Sequence, residues 1–316
     1  MDYPRAFEEF DAWFANEEAC RRYLARLRWP SGFTCPHCGV LGKAWTTTRG
    51  LLHCASCQGQ TSVTAGTILQ GTRKPLRLWF LAMWFLTSQK HGANAMGLQR
   101  VLGLRSYETA WAWLHKMRRA MVRPGRDRLS GSVEVDETYV GGEEAGVHGR
   151  ETDTKAIVAI AVEVHSPKGF GRVRLRRVPD VSAASLTPFV CATIVPGSVV
   201  RTDGWPGYDR IHKHGYTREK IVLASSGDPA HVAMPGVHRI ASLLKRWLLG
   251  THQGAVSRKH LDYYLDEYTF RFNRRHAHAR GLLFHRLAEQ AVATPPVTYR
   301  GIVTREGPAP AQASLE

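Results

Sequence analysis

Val133-Glu134-Val135-Asp136-Glu137-Thr138 alternates apolar and polar residues, a period of two that makes it a strand with Glu134, Asp136 and Thr138 on one side and Val135 and Glu137 on the other. A second apolar run, Val199-Val200-Arg201-Thr202, ends on Asp203 where Gly204-Trp205 turns the chain. A carboxylate inside or at the end of a buried strand is costly unless a metal or a cation holds it. On adjacent strands, Asp136 and Asp203 can bridge a pair of Mg²⁺ or Mn²⁺ ions about 3.5–4 Å apart, the arrangement that drives in-line phosphoryl displacement. The plainer reading is a pair of turn-capping aspartates, with Arg201 as a nearby cation.

Working outward from these acids, β-branched runs bounded by Gly, Pro and Asp predict strands over Ser132–Val140, Ala156–Val164, Arg172–Val178 and Ser198–Thr202. The first three read as an antiparallel meander. Helices are predicted over Leu186–Ile194, Val237–Leu249 and Ser257–Arg274, giving a mixed α/β layer architecture for residues 131–290. Before it lie amphipathic helices (residues 1–30), a cysteine-rich module (31–70) and a helical region (75–121). The tail, 301–316, is rich in Pro, Ala and Ser and is expected to be disordered.

The chain has 316 residues, with 43 Lys and Arg against 27 Asp and Glu, a net charge of +16 and a pI near 9.9, which favours a nucleic-acid partner. The amino end is acidic and aromatic, unlike a signal peptide, and the longest apolar run, Leu78–Leu86, falls short of the roughly 20 residues a membrane helix needs. No membrane partner is expected. Cys35-Pro36-His37-Cys38 and Cys54-Ala55-Ser56-Cys57 form two Cys-x-x-Cys pairs with 15 residues between them. Each pair presents two sulfurs from one tight turn, and four thiolates close a tetrahedral structural Zn²⁺ site, leaving His37 and His53 as neighbours.

Asn94–Leu102, the turn Gly103–Ser106 and Tyr107–Met121 have the outline of a helix-turn-helix, whose second helix carries Trp111, Trp113, Lys116, Arg118 and Arg119. The competing reading is a helical hairpin in which Trp111 and Leu114 pack a core. From Arg239 to Arg280, nine Lys or Arg stand against three Asp or Glu, a face suited to phosphate neutralisation. Lys245 and Arg246, within two turns of His238, are the residues in that stretch expected to hold DNA phosphate. Its aromatics, by their spacing, read as core, and Trp205 reads either as core or as a base-stacking group.

Taken together, Cys35-Pro36-His37-Cys38, Val135-Asp136-Glu137-Thr138-Tyr139-Val140-Gly141-Gly142, Arg201-Thr202-Asp203-Gly204-Trp205, Leu244-Lys245-Arg246-Trp247-Leu248-Leu249-Gly250-Thr251-His252 and Phe270-Arg271-Phe272-Asn273-Arg274-Arg275 resemble the zinc-ribbon insertion-sequence transposases of the DDE superfamily, ISXO2-like group. The resemblance spans about residues 20–290. It implies a ribonuclease-H-like fold for the mixed-sheet domain, catalytic acids at Asp136 and Asp203, Mg²⁺ or Mn²⁺ as cofactor and DNA (element ends and target) as partner. It also implies a homo-oligomer on DNA and a cytoplasmic, nucleoid-associated location. The third acid departs from the pattern: the matching position, seven residues before Lys245 and with 34 residues between it and Asp203, is His238. A neutral imidazole can ligate a divalent ion, manganese better than magnesium. The rival third acid is Glu267, whose plain reading is a solvent-facing partner of Arg271 at i,i+4. The implied function is metal-dependent DNA cleavage and strand transfer at element ends; the alternatives are a decayed, regulatory zinc-ribbon DNA-binding protein and a nuclease without transfer.

Overall fold

Local signals set the helices of the first of two units in the computed structural model, which describes residues 2–123, 125–142, 154–165, 169–221, 230–254 and 256–304. This unit comprises Met1–Arg123 and His276–Gly307; the second contains Pro124–Arg275. Helix α1 spans Phe7–Trp13, and α2, Glu17–Arg28, starts where the Asn16 side chain accepts the Ala19 N–H at 2.9 Å. In the cysteine module, β1 (Ala44–Thr46), β2 (Leu52–Cys54) and β3 (Gln60–Thr61) pair antiparallel. Helix α3, Leu76–Ser88, has no side-chain cap of its own residues, and Glu17 accepts the N–H groups of Leu76 and Arg77 at 2.7 and 3.3 Å. Helices α4 (Ala95–Leu102) and α5 (Tyr107–Ala120) are capped by Asn94 and Ser106, with Gly103 turning between them at φ +61°.

The hairpin formed by α4 and α5 buries much of its second helix. Trp113 stacks on Trp79 at 3.8 Å, Leu114 is buried, and Arg118 is buried with its guanidinium donating to the Ala93 carbonyl at 3.4 Å. Lys116 is partly buried, which pulls its ammonium pKa down. The helix that would read DNA thus spends most of its length in the core, and its exposed part is the amino end, Tyr107 and Glu108, with Arg105 before it.

In the second unit, β4 (Ser132–Val140), β5 (Ala156–Val164) and β6 (Phe170–Val178) form the antiparallel meander, and β7 (Val199–Thr202) and β8 (Thr217–Lys220) continue the sheet in the order β6-β5-β4-β7-β8. β7 runs parallel to β4, and β8 parallel to β7. Ala156-Ile157-Val158-Ala159-Ile160-Ala161-Val162 is buried throughout because β5 is covered on both faces. Helix α6 (Ala183–Thr193) packs on one face; α7 (Pro235–His252) and α8 (Leu261–Asn273) pack on the other. Asn273 at the end of α8 binds both backbone groups of Val173 on the edge strand, at 2.7 and 3.1 Å. β8, all polar, escapes pattern reading because an edge strand with little burial has no apolar alternation.

Two boundaries differ from expectation. Helix α9, Arg280–Ala293, belongs to the first unit, where Phe284 packs edge-on against Phe10 and Phe80, so the sheet domain stops short of 290. Helix α10, Tyr299–Thr304, occupies the start of the expected tail; residues 305–316 lie outside those described. The fold class is as the sequence predicts: N-terminal helices and a four-cysteine module, then a mixed-sheet α/β domain. Among the described residues no helix is long and apolar enough to cross a membrane.

Candidate active site and metal centre

Pairing of β4 with β7 runs to Glu134 opposite Arg201. Asp136 and Asp203 each lie two residues further along, which sets them at one level, past the last paired residues of adjacent parallel strands. On the same side of β4, the β5 partners of Glu134, Asp136 and Thr138 are Val162, Ile160 and Val158, all in the core beneath α7 and α8, so this side faces those helices. Burial pushes the Asp136 carboxyl above the ordinary carboxylate range; the charge of Asp203 adds to the rise, while the Glu137 N–H and His238 oppose it. Asp203 accepts the Trp205 N–H through Oδ1 at 3.0 Å, an Asx turn. From β8, Arg218 braces that turn, donating to the carbonyls of Asp203 and Trp205 at 2.9 Å each and to Thr202 Oγ1 at 2.9 Å, and pairing with Asp209.

A cleft of about 510 Å³ opens beside Asp136 and is lined also by Glu137, Thr138, His238, Ser242 and Lys245. The last three fall at i, i+4 and i+7 of α7 and so share one helical face. Arg246 is exposed but does not line the cleft. Glu267 corrects the expectation made for it: it is fully buried, not solvent-facing, bonded to Arg271 at 2.8 Å, and does not line the cleft. Trp205 takes the packed reading, with its indole N–H donating to the Val181 carbonyl at 2.8 Å and its ring against the α6-side core. The aromatics Tyr264, Tyr268 and Phe270 are buried as core.

Sequence reasoning passed over Glu134. It has no exposed surface; Oε2 accepts the N–H groups of Gly236 and Val237 at 2.7 and 3.0 Å, and Oε1 lies 3.4 Å from Arg201. A signal was present: α7 starts at Met234-Pro235-Gly236 with no capping side chain and no acid in its first turn, so its free N–H groups need an acceptor from elsewhere.

In the first unit, the sulfurs of Cys35, Cys38, Cys54 and Cys57 lie within 4.8 Å of one another, with Cys35–Cys57 at 3.6 Å and Cys38–Cys54 at 3.9 Å. A tetrahedral zinc with Zn–S near 2.3 Å has sulfur–sulfur edges of about 3.8 Å, so the donors fit. The two turns match: Gly39 and Gln58, each just after a pair, adopt φ +72° and +61° and donate to the carbonyls of Cys35 and Cys54 at 2.9 and 3.1 Å. His37 and His53 direct ring nitrogens at the carbonyls of Gln60 and Gln58, at 3.2 and 2.7 Å, and stand outside the cluster. Four thiolates with no open position make a structural centre.

Comparison with known proteins finds a match for each of the two regions. Residues 15–60 match the transposase zinc-ribbon domain, and residues 128–273 match the ISXO2-like transposase domain. A protein of transposable element ISH50 from Halobacterium salinarum, itself described as uncharacterized, is 29% identical over 282 residues, covering 82% of this chain and 91% of the relative. The four-cysteine module followed by the acid-bearing mixed sheet is the order of those two domains, and the chain carries matches to both a transposase zinc-ribbon domain and an ISXO2-like transposase domain.

Proposed function

We propose that this chain binds the ends of an insertion sequence and catalyses metal-dependent DNA strand cleavage and strand transfer on a ribonuclease-H-like sheet. The observation that carries the reading is the common level of Asp136, inside β4, and Asp203, just past the end of the adjacent parallel β7, with Asp136 sharing one cleft with His238 and Lys245 of the facing helix. Asp136, Asp203 and His238 would hold the divalent ions; carboxylates suit magnesium, and the imidazole shifts preference toward manganese. When bound, such ions activate a water or a 3′-hydroxyl and stabilise the leaving oxygen of an in-line displacement. Lys245, about 10 Å along the helix face from His238 at 1.5 Å per residue, neutralises a phosphate flanking the cut. Arg246, one position round the helix, extends that contact along the backbone. Bringing both element ends together requires more than one protomer on the DNA.

The test is cleavage and joining of oligonucleotides carrying the element's ends by the zinc-loaded protein, in Mg²⁺ and then Mn²⁺. Joined products support the reading; cutting without joining reduces the protein to a nuclease, and specific end binding with neither product indicates a regulatory DNA-binding protein. Asp136→Asn and Asp203→Asn are expected to abolish both steps while leaving end binding intact. His238→Ala should lose cleavage; should it match wild type while Glu267→Gln fails, the third member of the site is misassigned.

A further inference from the structure

The residue that links the two halves of the candidate site carries out no chemistry in the scheme above. Glu134 stands two residues before Asp136 on the same side of β4, about 7 Å away at strand spacing. Its Oε2 binds the N–H of Val237, the residue next to His238. Helix α7 contains no Asp or Glu, so the partial positive charge at its amino end has no anion within the helix to meet it. Glu134 supplies that anion from the strand. The contact is tight enough to exclude a side chain at Gly236, where a Cβ would lie 2.7 Å from Glu134 Oε2 and 2.8 Å from Val162 Cγ1. Arg201 faces the remaining oxygen at 3.4 Å and also reaches Glu219 at 3.4 Å. With both oxygens engaged and no exposed surface, Glu134 is not available to a metal ion.

We infer that Glu134 is a positioning residue: by tying the amino end of α7 to β4 it holds His238 beside Asp136, an inference that rests on reading His238 as the third member of the site. A helix docked through two amides of its first turn cannot slide along the strand without breaking both bonds, so one side chain adds a directional tie to the apolar packing that holds α7 on the sheet. Loss of such a support around metal ligands typically weakens metal binding about 10–100-fold.

The experiment uses the zinc-loaded full chain, with Mn²⁺ alone as probe, and compares wild type, Glu134→Leu, which has no acceptor for the two amides, Gly236→Ala and His238→Ala. Val190→Ala, a truncation in the core on the opposite sheet face, serves as a control for general destabilisation. Hydrogen exchange followed by mass spectrometry on peptides covering residues 234–240 reads the anchor directly. Protection in wild type and in Val190→Ala, lost in Glu134→Leu and Gly236→Ala, is expected; unchanged exchange in Glu134→Leu overturns the proposal. Mn²⁺ affinity is expected to fall at least about tenfold in Glu134→Leu, Gly236→Ala and His238→Ala, and to stay within about twofold in Val190→Ala. Lost protection with unchanged Mn²⁺ affinity in Glu134→Leu would make Glu134 a helix cap and nothing more, which also overturns it. A fall in Glu134→Leu without one in His238→Ala would sink the metal role of His238 while leaving the anchor standing.

Discussion

Asp266 on α8 is pushed up from 3.8 to about 7, chiefly by burial, with Asp262 adding to the rise and Arg126 opposing it. Removing its charge by Asp266→Asn should therefore stabilise the sheet unit, and by an amount that depends on pH. The folded-state pKa lies above the unfolded one, so the folded state holds the extra proton between about 3.8 and 7, and stability falls as pH rises through that window. At about 1.36 kcal/mol per unit, the cost of the ionised group is roughly 1.6 kcal/mol at pH 5 and at most about 4 kcal/mol at pH 8. Rearrangement of Arg126 reduces both figures. Even a quarter of the ceiling, about 1 kcal/mol, moves the midpoint of a unit of this size by about 2–4 °C. Thermal unfolding followed by circular dichroism at pH 5 and pH 8 measures the difference. A gain for Asp266→Asn that grows from pH 5 to pH 8 is expected; an equal gain at both, or a loss at pH 8, would show that Asp266 is ionised and held by Arg126 and would refute the reasoning.

Three further outcomes follow from other parts of the molecule. Cys54→Ser removes one of four thiolates from a module whose folding depends on its metal, so zinc content by mass spectrometry should fall well below one per chain, with loss of the β1–β2–β3 signal; unchanged zinc would refute the four-sulfur centre. Gln58 occupies the left-handed region at φ +61°, which costs a non-glycine residue about 1 kcal/mol, so Gln58→Gly should tighten zinc binding about two- to fivefold in a chelator competition, and Gly39→Ala at φ +72° should weaken it. Arg218→Ala strips the donors from the turn carrying Asp203, and cleavage should drop at least about tenfold with end-binding affinity within about threefold; Arg218→Lys should not restore it, because a single ammonium cannot span the Asp203 and Trp205 carbonyls, Thr202 Oγ1 and Asp209 at once.

Much of the candidate site is legible in the chain itself because its signals are local. Two Cys-x-x-Cys turns bring sulfurs together over a few residues, strand alternation sets Glu134 and Asp136 on one side, and caps such as Asn16, Asn94 and Ser106 mark helix starts within three residues of the groups they bind. Asp136 inside one apolar run and Asp203 at the end of another are likewise visible in the chain. Arg118 shows where such signals mislead: a basic residue on a helix looks like part of a DNA-facing stripe, yet it is buried with its guanidinium on the Ala93 carbonyl.

Readable from the chain alone are the order of the elements other than β8, the four-cysteine centre and the two candidate aspartates. The tertiary structure alone decided that β7 runs parallel beside β4 at the register that sets Asp136 and Asp203 at one level, and that polar β8 joins the sheet and sends Arg218 to the Asp203 turn. It also decided that Glu267 is buried against Arg271, that α9 returns to the first unit, and that Glu134 caps a helix 102 residues away in sequence. The physical reason is common to these cases. Periodicity and capping act within a helical turn or along one strand, whereas parallel pairing, burial of a charge and capping from a distance depend on which surfaces meet once loops of dozens of residues have closed.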